Sequence, residues 1–288
     1  MQLPKRLIFI KTKNKPLFLI IVLSLVFSVT VSAQKTKTGF NVIAFYTAKN
    51  DQAHISYVHE ANKWFAAMGE LHHFHFDSTN QWSNMNDSFL SHYQVVLFLD
   101  TRPEDSTQRV AFKKYMEHGG AWMGFHFAAF ALTGSDYPQN WDWYHNQFLG
   151  SGNYVSNTWR PTAAVLRVEN KNHPAVKKLP DTFRSAPNEW YRWENDLRKN
   201  SDIQVLLSID SSSFPLGTGP KLYEIWHEGY YPVAWTNKKY RMIYINMGHN
   251  DIDYEHKTNK TLSYTFDNTS ESAFILNSLL WLGNAIKN

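Results

Sequence analysis

The sequence predicts a single α/β domain, in which a mostly parallel sheet is wrapped by helices. Three observations predict it. The first half contains three short runs that are almost wholly apolar, the mark of strands buried on both faces, and a fourth that alternates. Segments with helical spacing or helix-length composition lie between the runs. The resulting β-α-β-α-β-α-β rhythm is that of parallel strands joined by crossovers.

In chain order, residues 40–46 (FNVIAFY) read as the first buried strand. Residues 52–68 carry Ile55, Val58, His59, Asn62, Phe65 and Ala66 at helical spacing, with Gly69 placed as a C-terminal glycine. Residues 71–76 (LHHFHF) alternate and read as a second strand. Residues 94–99 (QVVLFL) are the third strand, 104–117 a helix closed by Gly119-Gly120, and 121–125 the fourth strand. After His126 the rhythm breaks. Residues 127–160 are rich in aromatic, Gly and Asn residues and read as a surface excursion with a helix over 141–149. A second β-rich stretch follows at 163–168, 203–209, 233–236 and 241–246. Residues 270–286 form a last helix, with Thr269 or Ser270 as N-cap and Ile275, Leu279, Leu282 and Ile286 on one face.

The first 33 residues differ from the rest. Lys5, Arg6, Lys11, Lys13 and Lys15 precede an uncharged apolar run at 17–31, and Val31-Ser32-Ala33 forms a small-x-small site. This is the secretory pattern, with cleavage expected after Ala33; a retained anchor is the alternative, although the run is short for a membrane span of about 20 residues. The division is therefore a signal peptide at 1–33 and one domain at 34–288, in a protein expected to be exported to the periplasm or secreted. The chain carries a net charge of +4, and the leader holds five basic residues and no acid. The remainder is close to neutral, with no overall pull toward nucleic acid or an anionic membrane. There is no Cys. That excludes a disulfide framework, thiol nucleophiles and thiolate metal ligands. Aromatic residues make up 16% of the chain, a composition that suits stacking on sugars, although core filling accounts for most of the rings.

Sites in open α/β sheets form beyond the carboxyl ends of strands. Polar signals fall there: Ala53-His54-Ile55-Ser56 after the first strand, Asp100-Thr101-Arg102 after the third, Gly124-Phe125-His126-Phe127-Ala128 after the fourth, and Gly248-His249-Asn250-Asp251 after a late strand. Glu189 is a candidate from the second half. Gly124-x-His126-x-Ala128 has the shape of a nucleophile elbow with an imidazole at its centre, suited to a general base or a metal ligand. Three histidines at strand ends, His54, His126 and His249, point to one shared site. Asp100 reads as a cap of the following helix. His72 and His73 face opposite sides of a strand, and His173-Pro174 reads as a loop-setting pair. No phosphate loop or GxGxxG is present.

On these residues the chain resembles the ThuA-like (trehalose-utilisation) family. The resemblance rests on His54-Ile55-Ser56, Gly119-Gly120-Ala121-Trp122-Met123-Gly124-Phe125-His126, His173-Pro174, Asn188-Glu189-Trp190-Tyr191, Tyr231-Pro232-Val233-Ala234-Trp235 and Met247-Gly248-His249, and it spans 39–283. It implies a flavodoxin-like fold similar to class I glutamine amidotransferases. It also puts His126 where those enzymes carry their Cys nucleophile, so glutamine hydrolysis through a thioester is not available. Many members have a His-Pro where this chain has Trp159-Arg160-Pro161. The family is linked to sugar metabolism, including 3-keto sugars and their glycosides.

The expectation is thus an exported sugar-processing enzyme of lyase, isomerase or hydrolase type, acting on a small-molecule keto-sugar or glycoside. His126, Glu189 and His249 form its catalytic set. His54, His126 and His249 form a metal set for a divalent ion such as zinc. The alternative is a non-catalytic carbohydrate-binding accessory domain that uses the aromatic stretch 141–159.

Overall fold

The computed structural model describes residues 39–284 apart from 50, 133–140, 159, 211, 213–228, 254–255 and 258–260. The expected leader, Trp159 and residues 285–286 of the expected last helix lie outside the described residues.

Four α-helices and eleven strands are described. The strands are β1 (Asn41–Tyr46), β2 (His75–Thr79), β3 (Val95–Leu99), β4 (Ala121–Phe125), β5 (Tyr154–Asn157), β6 (Val165–Val168), β7 (Thr182–Arg184), β8 (Tyr191–Trp193), β9 (Ile203–Ile209), β10 (Tyr231–Asn237) and β11 (Tyr240–Ile245). The helices are α1 (Gln52–His72), α2 (Asp87–Leu90), α3 (Ser106–Glu117) and α4 (Thr269–Leu282). Nine strands make one sheet in the order β2-β1-β3-β4-β11-β10-β9-β6-β7. The neighbours from β2 to β11 pair in parallel, and those from β11 to β7 pair antiparallel. β5 and β8 form a separate antiparallel pair.

The α/β architecture is the expected one, and its cause is the expected one too. Every residue of β3 and β4 is buried, so these runs need cover on both faces. On one face, Tyr57, Val58 and Phe65 of α1 pack with Phe274, Ile275 and Leu279 of α4. On the other, Phe112 and Met116 of α3 pack with Trp143, Tyr144 and Phe148. Each such side chain contributes about 1.5–3 kcal/mol by leaving water. The helix expected at 141–149 is a wide π-type turn at Trp143–Phe148. Its rings are core, not a surface for sugar: Tyr144 and Phe148 are fully buried and Trp143 nearly so.

Several boundaries move. α1 continues past Gly69 to His72 and ends at His73, which turns left-handed (φ 61°) and donates its N–H to Gly69 O. Leu71 and His72 are therefore helical, and β2 starts at His75. The alternation at 71–76 comes from two separate packings, Phe74 stacked on Phe40 and Phe76 on Phe65. α3 is capped by Asp105, which accepts from the Thr107 and Gln108 N–H groups, so Asp100 is not its cap. α4 is capped by Asn268, one residue before Thr269 and two before Ser270, the expected caps. β5, β7 and β8 have three or four residues each, too short for a periodic signal.

The parallel pairing fixes where chemistry can occur. β1, β3, β4 and β11 run the same way, so the residues that leave their carboxyl ends gather along one edge.

His173 supplies a test of the scaffold. It caps the turn Pro174–Val176, its Nδ1 accepting the Ala175 N–H at 3.2 Å, and its ring meets Trp281 of α4 edge-on. Burial pulls its pKa down to about 4, against about 6.5 unfolded. The unfolded chain therefore binds the extra proton first. The contribution of His173 is complete above pH 6.5 and is lost as pH falls toward 4. Urea unfolding of wild type and His173→Asn, which keeps a capping side chain without titrating, should show the stability gap shrinking by about 1–2 kcal/mol between pH 7 and 4, after allowance for partial exposure. A gap independent of pH contradicts this.

Candidate functional site

Four strand ends and one loop build the site. After β1, Asp51 caps α1 by accepting the Ala53 N–H at 2.7 Å, which sets His54 in the helix's first turn. After β3 comes Asp100 and after β4 comes His126, and both adopt left-handed backbone (φ 57° and 41°). Such conformations cost about 1–3 kcal/mol each and persist only where neighbours enforce them. The enforcement is visible. The Phe127 N–H donates to Asp100 Oδ1 at 2.8 Å, and the Tyr244 hydroxyl donates to the His126 carbonyl at 2.8 Å. The buried Arg102 guanidinium donates to the Phe127 carbonyl at 2.9 Å. Gly124 lets the elbow close, because a Cβ there would lie 2.0 Å from the Trp122 ring. After β11, Gly248 (φ 120°) passes over the Tyr57 ring and delivers His249. Glu189 comes from the loop before β8.

These residues converge. His126 Nε2 lies 3.2 Å from Glu189 Oε2 and 3.2 Å from His249 Nδ1, and His249 Nδ1 lies 3.1 Å from the same Glu189 oxygen. The other Glu189 oxygen accepts from Asn157 Nδ2 at 2.6 Å. His54 Nδ1 pairs with Asp100 Oδ2. The His54 ring centre is 4.6 Å from that of His249 and 5.7 Å from that of His126. Tyr191 covers the other side of His126, ring centres 4.1 Å apart.

The charges follow from this packing. Burial alone would raise the Asp100 carboxyl, but the facing His54 imidazole outweighs it and holds the group below its ordinary value. Burial would likewise raise Glu189, yet hydrogen bonds from His126 and His249 pull it far below the usual carboxylate range. Burial lowers His126, with Glu189 pulling the other way. For His249 burial opposes the charge, but Glu189 prevails and lifts the pKa to about 9. Two ionised carboxylates thus face a neutral His126 and a protonated His249 at neutral pH, and an ion held here would displace the His249 proton.

One nitrogen from each of His54, His126 and His249 lies within 4.8 Å of the others, and this is the one such group of three among the described residues. The donor set fits a zinc-type ion, which takes imidazoles and carboxylates. Nitrogens on a tetrahedral zinc stand about 3.3 Å apart, and the His126–His249 pair already has that spacing. His54 has a carboxylate behind it, the arrangement that fixes a ligand's tautomer. Recesses of roughly 410 and 930 Å³ open elsewhere, around Tyr115 and Arg241 and around His173 and Lys238. They hold no comparable cluster among the described residues.

All four site residues expected from the sequence, His54, His126, Glu189 and His249, meet here. Asp100 belongs with them and is not a cap. Asn157, Asn188 and Asn246 were not singled out. Asn246 Nδ2 donates to the Glu189 carbonyl at 3.0 Å, and Asn188 Oδ1 accepts the Gly248 N–H at 3.1 Å. The signal that could have found two of them was adjacency, since Asn188 precedes Glu189 and Asn246 lies three residues before His249.

Comparison with known proteins points one way. The model of the ThuA family, described as trehalose utilisation, matches residues 42–264. A solved ThuA-like protein from Bacteroides uniformis ATCC 8492 is similar at 32% identity with a TM-score of 0.75, over 87% of this chain and 94% of that one. A second, from Parabacteroides merdae ATCC 43184, shares the fold at 19% identity with a TM-score of 0.56, over 86% and 91%. No curated protein matches.

The elbow gives a direct test. Gly124→Ala should destabilise the protein by about 2–3 kcal/mol, since the Trp122 ring is fully buried and has to shift. Denaturant unfolding measures it, and a loss under about 0.5 kcal/mol contradicts the close approach.

Proposed function

The chain belongs to the ThuA (trehalose-utilisation) family, which supports a role in carbohydrate utilisation, and from that premise we propose an exported enzyme that acts on a keto-sugar or its glycoside at a centre where His54, His126 and His249 hold a divalent metal such as zinc. One observation carries the reading. Three imidazoles on separate strand ends bring their nitrogens within 4.8 Å beside an ionised carboxylate.

A carbon next to a ketone carries an acidic hydrogen. Removing it needs a base and a positive group to hold the enolate oxygen. A bound divalent ion supplies the positive charge for that oxygen. Glu189 is the base: its Oε2 faces the site between His126 and His249, whose hydrogen bonds hold it acidic and would be given up to a bound ion, and Asn157 fixes its second oxygen. The C–H bond breaks, its electron pair becomes the new C=C bond, and the carbonyl pair moves to oxygen. Glu189 then returns the proton to carbon or to the enolate oxygen, or gives it to the aglycone oxygen as the enolate pair expels that group and the C=O bond re-forms. Asp100 keeps His54 oriented, and Tyr191 shields His126 from water. The basic and then apolar pattern of residues 1–33 supports export. The accessory-domain reading loses its main support, because the described rings of 141–158 that would bind sugar are largely core.

The test uses a 3-keto-glucoside as probe. His126→Ala should lower turnover by about 10³-fold or more while moving Tm by only a few degrees. Asp100→Asn should weaken zinc binding by about 10–100-fold, as loss of a partner behind a ligand does. Full activity in His126→Ala removes it from the mechanism, and a sugar that binds unchanged favours the accessory domain.

A further inference from the structure

Glu271 is a buried acid that the proposed chemistry does not use. It lies in the first turn of α4 and is completely buried. An acid there commonly serves the helix N-terminus. This one does not: Asn268 Oδ1 already takes the Ser270 and Glu271 N–H groups, at 3.1 Å each. The Glu271 carboxylate points away from its own helix. Oε2 accepts the Ala186 N–H at 3.3 Å and Oε1 accepts Asn188 Nδ2 at 3.3 Å. A buried acid is costly, and an apolar residue at this position would avoid that cost. What it secures must lie at the other end of those bonds.

At that end is a clamp. Asn188 is fully buried and its two amide atoms have different partners. Nδ2 donates to Glu271 and to the Ala186 carbonyl at 3.1 Å. Oδ1 accepts from the Gly248 N–H and from Asn250 Nδ2, both at 3.1 Å. Beside it the Glu189 N–H donates to the His249 carbonyl at 3.0 Å. Asn188 therefore ties the strand-end loop that carries His249 to the segment that carries Glu189. An amide can rotate by half a turn, which exchanges oxygen and nitrogen. Turned that way, its NH₂ would face the Gly248 N–H and the clamp would fail. With Nδ2 toward the Glu271 oxygen and the Ala186 carbonyl, and Oδ1 toward the Gly248 N–H, one amide orientation alone meets all three.

We propose that Glu271 is a positioning residue: by fixing the orientation of the Asn188 amide it holds the His249 loop at Glu189, and so sets the spacing of the imidazole–carboxylate centre from a helix that does not reach it. The functional meaning of this rests on the reading of that centre given above.

The reciprocity of the pair tests it. Glu271→Gln puts an amide donor against either the Ala186 N–H or Asn188 Nδ2, and Asn188→Asp places oxygen against oxygen. Each variant should speed hydrogen exchange in peptides covering 246–250 by about tenfold, with exchange in 121–125 unchanged. Each should also weaken zinc binding, measured with the metal alone, by about 10–100-fold. The double variant Asn188→Asp/Glu271→Gln restores a donor–acceptor pair in reverse. It leaves an oxygen at position 188 against the Ala186 carbonyl, so it should recover both readouts in part, by at least about threefold over the worse single variant. Wild-type exchange and zinc affinity in the single variants overturn the proposal, as does a double variant no better than the worse single one. If wild type itself takes up no zinc, the metal reading fails, while loop exchange in the same variants still decides the part played by Glu271.

Discussion

Two carboxylates held away from water, Asp100 and Glu189, set the terms for this molecule. The Asp100 side chain is fully buried and that of Glu189 nearly so. An ion in such a place is tolerated only with a partner at hydrogen-bond distance. The partners are three imidazoles, and each arrives from a different strand end. The pairing therefore demands that β1, β4 and β11 end at one edge, which parallel pairing provides. It also demands two left-handed residues, Asp100 and His126, in positions that sterics disfavour. The strain is offset by the bonds that fix them, from Phe127, Tyr244 and Arg102. Fold, backbone strain and site electrostatics are one arrangement seen at three scales.

The second half of the chain serves the same edge by other means. β10, β9, β6 and β7 extend the sheet antiparallel and contribute no residue to the cluster. Their loops deliver Glu189, and a set of asparagines sews the pieces together. Asn157, Asn188 and Asn246 each bond across to a segment distant in sequence. Asparagine suits this work because it offers donor and acceptor together and adds no charge to a crevice already crowded with them. The fold is shared with the ThuA-like proteins of Bacteroides uniformis and Parabacteroides merdae, but a fold is no mechanism. What this chain can do follows from an imidazole at the elbow.

Most of the fold and the four central residues were legible in the sequence for a physical reason. Buried parallel strands are apolar runs, and sites form at their ends, so His54, His126 and His249 stood out by position. Glu189 stood out through Asn188-Glu189-Trp190-Tyr191. What stayed hidden depended on long-range partners. Asp100 lies five residues before Asp105, the residue that borders and caps α3; the part played by Asp100 shows only in the approach of His54 and Phe127. Gly69 looked like a helix end, yet the helix ends where His73 turns left-handed and donates back to Gly69 O. Glu271 was not singled out, and nothing local shows that its oxygens face Ala186 and Asn188. The aromatic stretch after His126 looked like a surface because its period is neither helical nor strand-like, and a π-type turn explains that.

The central claim is that His54, His126 and His249 together hold a metal ion. Anomalous X-ray diffraction across the zinc absorption edge, from crystals of the protein saturated with zinc, tests it most directly. The account predicts one strong peak about 2.0–2.1 Å from a nitrogen of each of the three histidines, with Glu189 beside it. A map with no peak between these three rings, or with zinc elsewhere only, would contradict it.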